Sequence, residues 1–288
     1  MKDEKTKKIL FLYSGGLDSR VALKMLKEKG HPVEAIFFKL PFASPDPGTD
    51  PFLENEGVPL TIMDCTKGEL FTDYLEVLKK PNYGRGVGYN PCTDCKIFMM
   101  QHAVKYASEK HFDALASGEV PGQRPMSQTT DKMERIREHT QMELIRPLEE
   151  AGINGRKRKE QMELAKSYSI HYPSPGGGCL LCERELKTRL KTLIEHAVVN
   201  ETTLPLMSIG RHFYIEKNRQ WFVVGRNKQE NDIIEQYNSM IQSGKGKPAV
   251  YYENKDGQRV AYKTALSLQK AYQDKDQQAI DYFSYWKI

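Results

Sequence analysis

Ile9-Leu10-Phe11-Leu12-Tyr13-Ser14-Gly15-Gly16-Leu17-Asp18-Ser19 is the stretch that decides the fold. Its first five residues run without a charged or small polar break, as in a strand buried on both faces. Two glycines then permit a tight turn. From Arg20 a helical spacing begins, carried by Val21, Ala22, Leu23, Met25 and Leu26. A strand, a Gly-rich turn and a helix N-terminus together form an anion site, because backbone N–H groups approach closely and the helix dipole favours negative charge. Ser14 and Ser19 add hydroxyl donors. Asp18 adds a carboxylate, which tolerates a phosphate neighbour only with a cation such as Mg²⁺ between them. The turn lacks the lysine of GxxxxGK[ST] and does not follow GxGxxG. The bland alternative is a plain strand-to-helix turn with a serine cap.

Outward from this turn the chain alternates strand and helix. Strands are expected at 8–13, 32–38, 58–64 and 113–117, and helices at 18–29, 69–79 and 93–110, with a short helix over 51–56. Pro41, Pro45, Pro47 and Pro51 mark a loop. This order predicts an α/β fold with a doubly wound parallel sheet, whose ligands gather beyond the carboxyl ends of the strands. Residues 14–19, 39–50, 65–68 and 117–128 would share that edge. A charged helix over 156–168, opening with Arg156-Lys157-Arg158-Lys159, and another over 182–198 follow. Beyond 205 come short strand-like runs at 211–215, 221–224, 249–252 and 259–261, hairpin signals at Lys217-Asn218 and Asp256-Gly257, and helices near 228–242 and 264–272. We therefore divide the chain into 1–150, a helical, cysteine-containing extension over 151–204, and a smaller α+β module over 205–288.

With 288 residues, a hydrophobic share of 39% and a mean hydropathy of −0.63, the chain reads as a soluble two-domain protein. Its net charge of +5 is compatible with nucleic acid without requiring it. No run approaches the ~18 apolar residues of a membrane helix. The expectation is a cytoplasmic protein with reduced cysteines and no membrane partner.

Cys92-Thr93-Asp94-Cys95 and Cys179-Leu180-Leu181-Cys182 form two CxxC pairs, each following a turn and leading toward a helix. A helix N-terminus lowers a thiol pKa, which would prime these groups as ligands or nucleophiles. Four readings compete: a structural Zn²⁺ site, an iron–sulfur cluster, redox dithiols carrying persulfide sulfur, or unrelated buried cysteines. Cys65, alone after a strand, reads as core.

The Ser14–Ser19 turn resembles the PP-loop of the ATP pyrophosphatases, which split ATP into AMP and pyrophosphate. Asn90-Pro91-Cys92-Thr93-Asp94-Cys95-Lys96 resembles the NPCxxCN segment of tRNA 2-thiouridylases. Ser117-Gly118-Glu119-Val120-Pro121-Gly122-Gln123-Arg124-Pro125-Met126-Ser127-Gln128 is similar to the GEVxGQRPMSQ segment of ThiI-like thiouridine synthases, and Gly178-Cys179 to the thiouridylases' later cysteine. The resemblance implies ATP bound by Ser14, Gly15, Gly16, Leu17, Asp18, Ser19, Gly118, Gln123, Arg124 and Ser127, with Mg²⁺ near Asp18. It implies catalysis through Asp18, Cys92, Cys95 and Cys179. A [4Fe-4S] cluster, or alternatively Zn²⁺, would be held by those cysteines with Cys182. The implied partners are tRNA and a sulfur donor, either sulfide or a persulfide carrier. The implied reaction adenylates a uridine carbonyl and replaces its oxygen by sulfur.

Gly210-Arg211-His212-Phe213 and Val224-Gly225-Arg226-Asn227-Lys228-Gln229-Glu230-Asn231 resemble the GRHF…VGRNxxEN pattern of NFACT-type RNA-binding domains. Arg211, Arg226 and Lys228 would then contact RNA, with Phe213, Tyr214, Trp221, Phe222, Tyr251 and Tyr252 as stacking surfaces. Arg156, Lys157, Arg158 and Lys159 would guide tRNA toward the cysteines. Two other functions compete: a PP-loop synthetase for a small molecule with structural Zn²⁺, and a nucleotide-regulated RNA-binding protein.

Overall fold

Four-residue strand β1 (Ile9–Leu12) is buried at every position and stands at the centre of a five-stranded parallel sheet. The computed structural model describes residues 5–42, 50–86, 88–123, 126–174, 179–196, 198–253 and 258–288. After β1 come α1 (Leu17–Glu28), β2 (Val33–Lys39), α2 (Pro51–Asn55), β3 (Leu60–Asp64), α3 (Gly68–Lys79), α4 (Cys92–Glu109), β4 (Ala114–Ser117), α5 (Thr130–Glu138), β5 (Leu144–Ile145), α6 (Pro147–Glu150) and α7 (Lys159–Ser167). The strand order is β3-β2-β1-β4-β5, all parallel. Successive crossovers run outward from β1 to β3, then return to place β4 on the other side of β1. The β1/β4 gap is therefore the switch point where such sheets bind ligands.

The two-residue period of β1 separates its faces. Ile9 and Phe11 join a core with Val21, Leu23 and Leu26 of α1 and with Ala165 of α7. Leu10 and Leu12 are equally buried on the opposite side. Helix α1 packs with α6 and α7, and α4 packs with α3 and α5. This is the α/β doubly wound arrangement expected from the alternating pattern.

The chain divides into two compact units, Met1–Cys182 and Glu183–Ile288. The boundaries read from the sequence, after 150 and after 204, differ from this single one. Ala165 and Ile170 bury into the parallel-sheet core and bind 151–182 to the first unit. In the second, Leu190, Leu193 and Ile194 of α8 (Lys187–Glu195) are buried, and Tyr237 Oη donates to the Thr202 carbonyl at 2.9 Å.

The second unit continues with β6 (Arg211–Ile215), β7 (Gln220–Val224), α9 (Lys228–Ile234), β8 (Met240–Ile241), β9 (Val250–Glu253), α10 (Gln258–Asp274) and α11 (Gln277–Ser284). Its antiparallel sheet has the order β6-β7-β9-β8. Residues 259–261, expected as strand, lie in α10, whose Ala261, Ala265 and Leu268 pack on the sheet at helical spacing. The helix expected over 228–242 ends at Ile234 and gives way to β8. The helices α5, α6 and α11 had no sequence assignment. The Asp256-Gly257 turn signal lies outside the described residues.

His212 sits fully buried on β6. Its Nε2–H donates to the Ile209 carbonyl at 2.6 Å, and its Nδ1 accepts from Trp221 Nε1–H at 3.1 Å. Both ring nitrogens are used by a neutral imidazole. Burial, reinforced by the Arg189 charge, lowers its pKa from 6.5 to about 3. Between those values the unfolded chain takes a proton that the folded chain refuses. The stabilisation is therefore complete above the unfolded pKa and is lost as pH falls toward the folded one, at up to ~1.4 kcal/mol per pH unit. Urea unfolding followed by tryptophan fluorescence should show this slope between pH 6.5 and 4. A His212→Gln variant should show a shallower one; equal slopes in the two proteins would remove His212 as the cause.

Candidate active site

The turn after β1 carries Gly15 at φ +75°, a left-handed conformation that disfavours side chains. Gly16 then occupies the N-cap position of α1 in extended conformation. Ser19 is buried, and its hydroxyl accepts from the Ser14 N–H at 3.0 Å, closing the turn on itself. Leu17 packs into the core. Asp18 projects from the first helical turn, and its Oδ1 is buried without a hydrogen-bond partner. Burial raises its pKa, and the Arg158 charge partly offsets the rise. An orphaned, desolvated carboxylate oxygen fits a site that receives a cation.

Across the switch point, Gly118 presses against this turn. A Cβ there would lie 2.8 Å from the Asp18 carbonyl oxygen and 2.8 Å from Ser19 Cα, closer than a side chain permits. Only a glycine lets β4 end against the start of α1. The next residue, Glu119, is buried and accepts from Ser117 Oγ at 3.0 Å and Arg146 Nε at 3.2 Å. Lys96 Nζ, one residue beyond Cys95, lies 3.5 Å from Glu119 Oε1. Burial alone would raise the Glu119 pKa, but the Lys96 and Arg146 charges and the Ser117 hydrogen bond hold it below the ordinary value. Gln123 and Ser127 are buried in the segment that follows, with Gln123 Nε2 unpartnered. Arg124 lies outside the described residues, as does the turn expected at 175–178 before Cys179.

The two CxxC pairs come together in the first unit. Cys92 opens α4 directly after Pro91. Leu180–Cys182 form a 3₁₀ turn, held by Leu180 N–H donating to the Phe42 carbonyl at 2.6 Å and Tyr89 N–H donating to the Leu181 carbonyl at 2.9 Å. The expected helix therefore does not begin at the second pair; α8 starts only at Lys187. Asn90 Nδ2 donates to Cys182 Sγ, and the Tyr74 hydroxyl hydrogen-bonds Cys95 Sγ at 3.3 Å. None of the five cysteines is in a disulfide.

The thiol pKa values run opposite to the sequence expectation. Burial, then the neighbouring Cys182 and Cys95, pushes Cys92 up to about 12 despite its helix N-terminus. Burial likewise raises Cys95 and Cys179, and Cys182 adds to both rises. Cys65, fully buried, is raised to about 12 by burial and by Cys95. Three thiols raised by burial and by neighbouring thiols are what a bound cation relieves, so the donor chemistry fits a thiophilic metal centre. Among the described residues, however, no group of three or more His, Cys, Asp or Glu closes around an ion.

A family model described as Thiamine biosynthesis protein (ThiI) matches residues 5–169, more than half of the chain. The chain belongs to the ThiI family. It is also 33% identical over 115 residues to the tRNA-specific 2-thiouridylase MnmA of Helicobacter pylori strain G27, spanning 36% of this chain and 32% of that protein. With MnmA of Thermotoga petrophila it shares 27% identity over 274 residues, 77% of this chain and 74% of the relative. The chain thus spans about a third of the length of the Helicobacter relative. A solved 4-thiouridine synthetase–RNA complex with bound ATP aligns at 23% identity and a TM-score of 0.42, over 70% of this chain and 52% of that one. No helix among the described residues is long and apolar enough to cross a membrane.

Several of the contacts at this edge are not legible in the sequence. Arg158 was read with Arg156, Lys157 and Lys159 as a guide for RNA, on the opening turn of a helix. Only Lys159 belongs to α7; Arg156 and Lys157 precede it and Arg158 is its N-cap, and the Arg158 charge acts on Asp18. Arg156 and Lys157 are exposed, and Lys159 pairs with Glu163 at 3.7 Å. Glu119, Arg146 and Lys96 gave no signal, because their pairing depends on strand order.

In the second unit the resemblance motif is largely occupied by structural bonds. Arg226 Nε donates to Glu230 Oε1 at 2.9 Å and its backbone N–H to Glu230 Oε2 at 2.7 Å. Asn227 caps α9, and Asn231 Oδ1 accepts from the Ala249 N–H at 3.0 Å. The Arg211 guanidinium stacks 4.9 Å from the Tyr272 ring. Phe213, Tyr214, Trp221, Phe222 and Tyr251 are buried, which corrects their expected role as stacking surfaces. Lys228 is exposed.

The Gly118 contact generates a test. Gly118→Ala must displace the Asp18–Ser19 backbone, and it should weaken ATP binding by about tenfold or more, ~1.4 kcal/mol. Isothermal titration with ATP checks this, and an unchanged affinity would detach Gly118 from the nucleotide site.

Proposed function

We infer that this chain is an ATP-dependent tRNA thiolase. One observation supports that function above its competitors. The thiols of two CxxC pairs lie within electrostatic reach of one another, in the same compact unit as a Gly-rich turn bearing a buried, unpartnered Asp18 oxygen. A small-molecule synthetase needs no such thiol group, and a nucleotide sensor needs no cation-accepting carboxylate.

In this function the Ser14–Ser19 turn and the α1 N-terminus bind the phosphates of ATP. Gly118, Gln123 and Ser127 would wall the nucleotide, and the resemblance adds Arg124. Asp18 would hold Mg²⁺, and Arg158 would add positive charge where pyrophosphate develops. The uridine carbonyl oxygen attacks the α-phosphorus, the bond to the β-phosphate oxygen breaks, and pyrophosphate leaves. A sulfur nucleophile adds to the activated carbon, and AMP departs with the original oxygen. Cys92, Cys95 and Cys179 would hold three irons of a [4Fe-4S] cluster and leave the fourth open, with Tyr74 orienting the Cys95 sulfur and Cys182 as a spare ligand or persulfide carrier. When bound, such a cluster supplies a Lewis-acidic iron that holds sulfide as a nucleophile. Sulfide or a persulfide carrier is the donor. Exposed basic residues, among them Arg156, Lys157, Lys159 and Lys228, meet the tRNA backbone in the cytoplasm.

Mass spectrometry of tRNA nucleosides from cells lacking the protein should show the loss of one thiolated uridine; an unchanged profile would overturn the function. Anaerobically purified protein should be brown with a charge-transfer absorbance. A colourless protein with one Zn²⁺ per chain would replace the cluster by structural zinc, and a colourless metal-free but active one by persulfide transfer.

A further inference from the structure

The nucleotide turn is gripped from behind by a buried charge pair to which no role has so far been attached. Arg20, on the first turn of α1, has a side chain 14% exposed, and Asp50, at the N-cap of α2, has one 3% exposed. The guanidinium donates to Asp50 Oδ2 at 3.0 Å and Oδ1 at 3.1 Å. The same carboxylate accepts from Tyr13 Oη at 2.7 Å and from the Phe52 N–H at 3.0 Å. Asp50 is thus fixed from the end of β1 and from α2 before Arg20 reaches it. With its remaining donors Arg20 bonds the Gly15 carbonyl, Nε to oxygen at 2.9 Å, and the His171 carbonyl beyond α7.

The Gly15 bond is the consequential one. In a trans peptide the C=O and the following N–H point in opposite directions. Holding the Gly15 carbonyl on the Arg20 side therefore directs the Gly16 N–H to the other side of that peptide plane. The peptide joins two glycines, whose backbones rotate at little steric cost. Left alone, it can flip and present a carbonyl oxygen, a repulsive partner, where an anion is to bind. We propose that Arg20, held by Asp50, is the positioning residue that locks the Gly15–Gly16 peptide with its N–H available to the nucleotide phosphates. Lysine cannot replace it, because only the planar fork bonds a carboxylate and two carbonyls at once. Arg20 touches no reacting atom and acts through the backbone. The lock rests on the reading of the turn as an ATP site.

The test compares wild type with Arg20→Lys, Asp50→Asn and the double variant. Asparagine still caps α2, so α2 is retained in Asp50→Asn. Amide hydrogen exchange of the full chain should be about tenfold faster at Gly15–Ser19 in both single variants, while the β-strand amides keep wild-type protection. The double variant should add little to either single, as expected of residues acting as one unit. In pyrophosphate-release assays the KM for ATP should rise about tenfold with kcat within about twofold. Wild-type exchange at Gly15–Ser19 in both variants overturns the lock, as does a fall in kcat at unchanged KM. Exchange that accelerates across the whole sheet also overturns it, since the pair would then be a general stabiliser. Titration of wild type with ATP separates the two ideas. If ATP does not bind, the nucleotide reading fails, and the exchange comparison alone decides the lock.

Discussion

The backbone of Gly118 lies against the Asp18–Ser19 turn with no room for a methyl group between them, and the first unit is organised around that contact. It follows from the parallel pairing of β1 with β4, in which Leu12 sits opposite Ser117. That register ends both strands at the same level, so the turn after one meets the turn after the other. The switch-point crevice opens there. The consequences extend beyond the nucleotide turn. Glu119 follows Gly118, and its buried carboxylate draws in Lys96 from the first turns of α4 and Arg146 from beyond β5. A backbone contact two atoms wide thereby sets the relation between the phosphate turn and the helix that opens with Cys92.

Burial acts on every ionisable group at this edge, and what differs is its compensation. Glu119 is buried, yet its pKa is lowered because two cations and a hydroxyl surround it. Asp18 has only the distant help of Arg158, and its pKa is raised. Cys92, Cys95 and Cys179 have neighbouring thiols, which raise them further. Folded proteins rarely leave buried polar groups uncompensated without a functional reason. Among the groups that this unit leaves so are the Asp18 carboxylate, along with Gln123 Nε2 and the Gln161 amide, and the buried thiols. The carboxylate and the thiols are also the two places where the proposed chemistry needs an added partner, a metal-bound phosphate in one case and a sulfur-bearing centre in the other.

Much of this was legible from the chain. The all-apolar run of β1, the glycines after it and the helical spacing of α1 are local signals, and local signals survive without tertiary context. The pairing of the cysteines was legible as repetition. Their pKa direction was not: the helix-terminus argument applies to an exposed thiol, whereas burial among other thiols reverses it. Arg20, Asp50, Glu119, Arg146 and Lys96 were illegible for a different reason. Each works through a partner distant in sequence, and only the strand order supplies the partner. The segment 259–261 was misread because three residues cannot distinguish a strand from the first turn of a helix; the alanines at 261, 265 and 271 decide it only once α10 is seen against the sheet.

The second unit shows why a motif match and a binding site are separate claims. His212, Arg226, Glu230 and Asn231 look like recognition residues in a sequence, being polar, charged and closely spaced. In the fold they hold the unit together: the histidine spends both nitrogens on Ile209 and Trp221, Arg226 bonds Glu230, and Asn231 accepts from Ala249. A group that recognises a phosphate must have a donor left over and must reach solvent. By that criterion any nucleic-acid contact of this unit would draw on exposed cations such as Lys217, Arg219, Lys228, Lys245 and Lys247. The motif would then specify a scaffold, and the charges it carries on its turns would do the binding.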